Sequence, residues 1–263
     1  MKIGIFDSGL GGLIILKAIK KKLPEFNYVY LGDTKNLPYG NKSQNQIYAY
    51  LQKAVKFLFN QDCALIIVAC NTASAVALRK IQRELLPKFF SDRRVLGVIR
   101  PTVEEISKNR SRQVLLIGTK STVDSESYSK ELKKIDPKIQ ITSLATPELV
   151  PLLENFKIIQ AQKALNSYLN KICQGRTLIL GCTHYPLLKK YLRKSKPSLK
   201  VFSQDEIIPA SLKNYLNRHP EIKKRLSKKT GIKLFVTKNS VIYKKMADKW
   251  FSKNLNIQTV SLD

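Results

Sequence analysis

The chain has 263 residues, 43% apolar and 25% charged, a balance that excludes a disordered chain and suffices for one large or two small α/β units. No apolar run reaches the ~20 residues needed to cross a bilayer. Met1 to Asp7 reads as a first strand and not as a leader, so the expected compartment is the reducing cytoplasm, with no membrane partner. The formal net charge of +28 admits nucleic acid as a partner, yet Lys and Arg are spread along the chain and also fit a solvated surface.

Lys2 to Phe6 reads as a strand, Asp7 to Gly12 as a Gly-rich turn, and Leu13 to Leu23 as a helix ended by Pro24. A strand at Tyr28 to Leu31 and a turn-rich loop with Pro38, Tyr39 and Gly40 follow. Ser43 caps a helix running to Phe59. Ile66 to Val68 is a buried strand that delivers Cys70, Asn71, Thr72, Ala73 and Ser74, and a helix then runs to Leu86, stopped by Pro87. Short strands are expected at Val95 to Ile99, Gln113 to Ile117 and Ile139 to Leu144. Gly118 to Thr122 is a polar turn leading into a helix to Ile135. After an amphipathic helix from Ile158 to Ile172, Leu178 to Leu180 forms a second buried strand, followed by Gly181, Cys182, Thr183, His184 and Tyr185. Further strands are expected at Leu199 to Phe202, Lys233 to Val236 and Ile257 to Val260. A helix spans Ile207 to Leu216, the basic stretch His219 to Lys229 reads as a surface excursion, and a last helix spans Ser240 to Phe251.

Strands alternating with helices predict parallel sheets. Continuous apolar strands that end in polar groups put those groups at the carboxyl edge, where open α/β sheets hold ligands. Cys70 and Cys182 stand 112 residues apart, and so do Asp7 and Thr119. Each follows an apolar strand. The shared offset predicts an α/β protein of two similar, doubly wound, mostly parallel-sheet domains facing each other across a central cleft.

The four cysteines are Cys63, Cys70, Cys173 and Cys182. A cytosolic chain of this size is not expected to rely on disulfides. Cys63 and Cys173 precede strands and read as small buried hydrophobes. Cys70 and Cys182 are followed by amides and hydroxyls and read as the start of a helix, which lowers a thiol's pKa. Asn71, Thr72 and Thr183 can hold a carboxylate. Asp7 and His184 can exchange protons with the thiols. Thiols on opposite faces of one carbon can remove a proton from one side and return one to the other, with no cofactor. Three other readings compete: a zinc site, although no C-x-x-C pair is present; two core cysteines; and a Cys, His and Asp hydrolase or amidase. The Asp7 to Gly12 turn lacks the phosphate-loop pattern G-x-x-x-x-G-K.

Several stretches taken together resemble the glutamate racemases of the aspartate/glutamate racemase superfamily. They are F-D-S-G-L-G-G at Phe6 to Gly12, P-Y-G at Pro38 to Gly40, A-C-N-T-A at Ala69 to Ala73, G-T-x-x-T at Gly118 to Thr122, P-E-L-V-P at Pro147 to Pro151, and G-C-T-H-Y-P-L at Gly181 to Leu187. Lys42 stands where Arg is usual in that family. The resemblance implies cofactor- and metal-independent interconversion of L- and D-glutamate, supplying D-glutamate for peptidoglycan; the sister activity is aspartate racemisation. It implies that Cys70 deprotonates the D-isomer and Cys182 the L-isomer, assisted by Asp7 and His184 respectively, with Glu148 supporting His184. It further implies a substrate pocket of Asp7, Ser8, Tyr39, Gly40, Asn71, Thr72, Thr119, Thr122, Thr183 and His184. The C-terminal segment is expected to return to the first domain, giving 1–97 with 208–263 and 98–207. A homodimer is expected. Some of these racemases are implicated in restraining DNA gyrase, so a nucleic-acid or gyrase-binding role of the basic surface is the alternative function.

Overall fold

The computed structural model describes residues 1–170, 177–253 and 255–262. Its strands form two sheets, both parallel throughout. The first contains β1 (Lys2–Asp7), β2 (Asn27–Gly32), β3 (Cys63–Val68), β4 (Arg94–Gly97), β9 (Gly231–Val236) and β10 (Ile257–Thr259), in the order β10-β9-β2-β1-β3-β4. The second contains β5 (Gln113–Gly118), β6 (Gln140–Ala145), β7 (Thr177–Gly181) and β8 (Lys200–Ser203), in the order β6-β5-β7-β8.

The run β2-β1-β3-β4 and the run β6-β5-β7-β8 follow the same winding. In each, the chain builds outward from a central strand, then crosses back to build on its other side. A crevice opens at the carboxyl ends where the direction reverses, between β1 and β3 and between β5 and β7. Asp7 ends β1, and Cys70 lies just past β3. Thr119 follows β5, and Cys182 follows β7. The sequence offset is therefore the imprint of a duplicated topology.

Helices cover both faces of the central strands, so β3 is buried at every residue, and β7 likewise. On one face of the first sheet, Ile15, Leu16 and Ile19 of the helix Gly12–Lys22 pack with Ile208, Leu212 and Leu216 of the helix Gln204–Arg218. The helix Gln44–Asn60 covers the other face through Ile47, Leu51, Val55 and Leu58. Ser43 closes a reciprocal capping box with Gln46 at its start. Separate clusters cover the second sheet, built on Leu165 and Leu192 on one face and on Val103 and Leu132 on the other. Cys63 is a fully buried member of the first-sheet core, and burial pushes its thiol up to about 12. The reading made for Cys173 lies outside the described residues. Among the described residues, no helix is long and apolar enough to cross a membrane.

Three expected elements differ. The helix expected to stop at Pro87 runs to Phe89, in pieces: Asn71–Val76, Leu78–Lys80, a π-helical Ile81–Leu85 and Leu86–Phe89. Leu86 N–H bonds back to Ile81 O across the π-helical turn, and Pro87 follows within the next short turn, where it has no N–H to give. The helix expected to continue to Ile135 is split into Lys120–Asp124 and Ser127–Ile135, because Glu126 has φ 54°. The basic stretch at His219 to Lys229 is no mere excursion: it contains the helical turn Pro220–Lys223 and buries Ile222 and Leu226 in the first core.

Candidate active site

One cavity of about 300 Å³ collects residues from both sheets. Ser8, Tyr39, Gly40, Cys70, Asn71 and Thr72 come from the first unit; Thr119, Cys182, Thr183 and His184 come from the second. Asp7 and Thr122 stand directly behind that lining and are fully buried. A cavity of about 570 Å³ lies elsewhere, edged by Arg79, Arg83, Arg100 and Arg218, and contains neither of these thiols. Chemistry, not size, singles out the smaller one.

The first wall is built by two strand ends. Asp7 cannot reach water, and its Oδ2 accepts backbone N–H bonds from Gly9 at 3.2 Å and Gly12 at 3.0 Å. Burial raises its pKa, outweighing the lowering by His184, by those two N–H groups and by Thr183. Cys70 caps the helix Asn71–Val76; Ala73 N–H meets its sulfur at 3.4 Å, and Ser8 Oγ lies 3.4 Å away. The expectation of a lowered Cys70 pKa is overturned. Burial, then the Asp7 charge, push it up to about 12, and the single N–H and Ser8 do not offset them. At neutral pH, Cys70 is a thiol.

The second wall has the opposite character. Cys182 is followed by a helix expected to be interrupted near Pro186 and to end before Pro197; it opens as a short 3-10 turn, Tyr185–Leu188, and continues as the α-helix Lys189–Ser195. The Cys182 sulfur lies 3.7 Å from His184 Nδ1. On the other side of that ring, Nε2 lies 3.1 Å from Glu154 Oε1, an ion-pair distance, although its N–H is not aimed for a hydrogen bond. Burial pushes the His184 pKa down, but Cys182 and Glu154 together hold it well above 6.5. Trp250 and the imidazole pack edge to face, their ring centroids 5.4 Å apart.

The expected supporting residue is corrected here. Glu148 is absent from the cavity lining, and its charge acts on Tyr168 instead. Glu154, at the end of the helix Leu149–Glu154, is the carboxylate facing His184.

Direct contacts stitch the walls together. Thr183 Oγ1 donates to Asp7 Oδ1 at 3.4 Å. Thr72, Thr119 and Thr122 form a hydroxyl triangle with sides of 2.9, 2.9 and 3.3 Å. A methyl group on Gly11 would lie 2.5 Å from Thr183 Oγ1 and 2.8 Å from the His184 ring, so only glycine permits this approach. Sequence reasoning missed Glu154, Thr146 and Tyr243, which also line the cavity. It also missed Asp33, which accepts hydrogen bonds from Tyr39 at 2.6 Å and from Thr237 of the returning segment at 2.7 Å.

A thiol from each of two similarly wound α/β units, lining one small cavity, defines a class of two-domain proteins that can handle a small molecule from both sides. A family model described as Asp/Glu/Hydantoin racemase matches residues 14–202. The chain is 40% identical to a glutamate racemase of Aquifex pyrophilus, over 82% of this chain and 84% of that one. Its fold is similar to the crystal structure of a Bacillus anthracis glutamate racemase isoform, with TM-score 0.89 and 30% identity, covering 99% of this chain and 97% of that one. It is also similar to a Francisella tularensis glutamate racemase in complex with D-glutamate, with TM-score 0.88 and 29% identity, covering 100% and 98%. The chain belongs to the Asp/Glu/Hydantoin racemase family.

Proposed function

We propose that this protein interconverts L- and D-glutamate by a cofactor-independent, two-base mechanism, and that it works in the cytoplasm to supply D-glutamate for peptidoglycan. The observation that carries the reading is that Cys70 and Cys182, delivered by different sheets, line the same cavity. The similarity to named glutamate racemases over most of the chain supports glutamate as substrate.

In the L-to-D direction, the Cys182 thiolate takes the α-proton and leaves a planar carbanion. The Cys70 thiol then delivers its own proton to the opposite face. Carbon exchanges one hydrogen for another, and the two sulfurs exchange protonation states. The D-to-L direction reverses each step. Asp7 serves Cys70 because the two compete for charge: each proton that Asp7 accepts removes the anion that holds the thiol up. His184, backed by Glu154, serves Cys182 by holding or returning a proton through Nδ1. Hydroxyl and amide donors from Ser8, Asn71, Thr72 and Thr183, which line the cavity, fix the carboxylates.

For the chain's organisation, we propose 1–97 with 208–263 as one domain and 98–207 as the other, supported by β9 and β10 joining the first sheet. The protein is also proposed to act as a homodimer, which sedimentation would test. L-glutamate in D2O should yield D-glutamate carrying deuterium at the α-carbon; exchange with aspartate but not glutamate would move the reading to the sister activity.

A further inference from the structure

Asn71 follows the first thiol directly and lines the cavity. Its Oδ1 accepts a hydrogen bond from the Tyr128 hydroxyl at 2.6 Å and another from Gln204 Nε2 at 3.3 Å. Gln204 Nε2 also donates to the Tyr128 oxygen at 3.0 Å, which closes a triangle. All three side chains are buried. The single hydroxyl proton of Tyr128 and one N–H of Gln204 converge on the oxygen end of the Asn71 amide. The nitrogen end is thereby turned away from them. That Nδ2 is itself buried and has no hydrogen-bond partner among the described residues. A buried amide donor left unpaired is costly unless something else meets it.

The three residues reach this point from separate places. Asn71 opens the helix after β3, Tyr128 lies in the helix Ser127–Ile135 over the second sheet, and Gln204 begins the helix that returns to the first. Tyr128 is remote from any strand end, and Gln204, although it directly follows β8, belongs to none of the quoted motifs. We infer that Gln204 and Tyr128 are positioning residues: they lock the Asn71 amide so that Nδ2 donates to a carboxylate of the bound amino acid. This deepens the proposed racemase reading and rests on it. Because the lock draws on both units, substrate is gripped only when they hold this mutual arrangement.

The test uses the full chain with L- and D-glutamate. Tyr128→Phe and Gln204→Leu should each raise KM about tenfold in both directions, with kcat within about twofold of wild type. Asn71→Ala should raise KM at least as far, and adding Tyr128→Phe to it should raise KM no further. A residue that only supported the fold would lower Tm and leave KM alone. Wild-type KM in folded Tyr128→Phe, or an additive effect on top of Asn71→Ala, overturns the inference. Tyr128→Phe decides the matter if Gln204→Leu does not fold. Active wild type with uncoupled variants sinks the inference alone; wild type that turns over no glutamate sinks the racemase reading and the inference with it.

Discussion

The two walls of the cleft share a backbone plan and differ in their proton inventory. Each presents a cysteine just beyond a central strand of a matching winding. Around Cys70 the neighbours are an enclosed carboxylate and a hydroxyl, and the thiol keeps its proton. Around Cys182 the neighbour is an imidazole whose charge is sustained by Glu154. Topology thus places the two thiols at equivalent strand ends, the placement that the proposed planar intermediate would need. Electrostatics break that equivalence: one wall sets a thiol held up in pKa beside a carboxylate, and the other sets its thiol beside an imidazole.

The sharpest way to break the comparison is to remove either sulfur. Cys70→Ser and Cys182→Ser should each cut turnover about 10³-fold or more, in both directions, as followed by polarimetry. The enantiomers have equal free energy, so no substitution can leave kcat/KM unequal in the two directions. The walls must instead be told apart by isotope effects. Asp7→Asn should lower kcat/KM about 10- to 100-fold and enlarge the primary deuterium effect with α-deuterated D-glutamate. His184→Asn should do the same with the L-isomer. Equal isotope effects on both isomers would erase the assignment of one helper to each wall.

A milder lever is pH. The folded His184 pKa is raised, so its stabilising charge is present in full below 6.5 and is lost as pH rises through the folded value. Turnover should fall along the same limb. Glu154→Gln should bring that fall to lower pH and reduce kcat/KM about threefold, whereas Glu148→Gln should stay within about twofold. The smallest effect sharpens the first wall. Because burial raises the Asp7 pKa, its ionised form disfavours folding once pH exceeds 3.8. Asp7→Asn should therefore raise Tm at neutral pH even as it slows catalysis, as calorimetry would show.

Apart from the 112-residue offset, what was legible in the chain was short-range. A strand that is apolar throughout, such as Cys63–Val68, announces its burial, and the next few residues announce the chemistry at its edge. The Cys70 pKa was misread because helix position is local, whereas desolvation and the Asp7 charge come from across the sheet. The Glu148 expectation failed for a geometric reason. Six residues along a helix turn the side-chain direction by about 240°, so the motif's own acid and Glu154 face different ways. Gln204 and Tyr128 gave no signal because only the tertiary fold joins positions 76 residues apart.

Gly11 has one more consequence. Where any other residue would carry a carbon, the turn after the first strand nestles against Thr183 and the His184 ring. The gap between the two jaws is thus gauged by the absence of a single methyl. Alanine there would act as a shim, prying the sulfurs apart while leaving each half intact, and an enzyme of sound fold would be too wide to clasp a molecule as small as an amino acid.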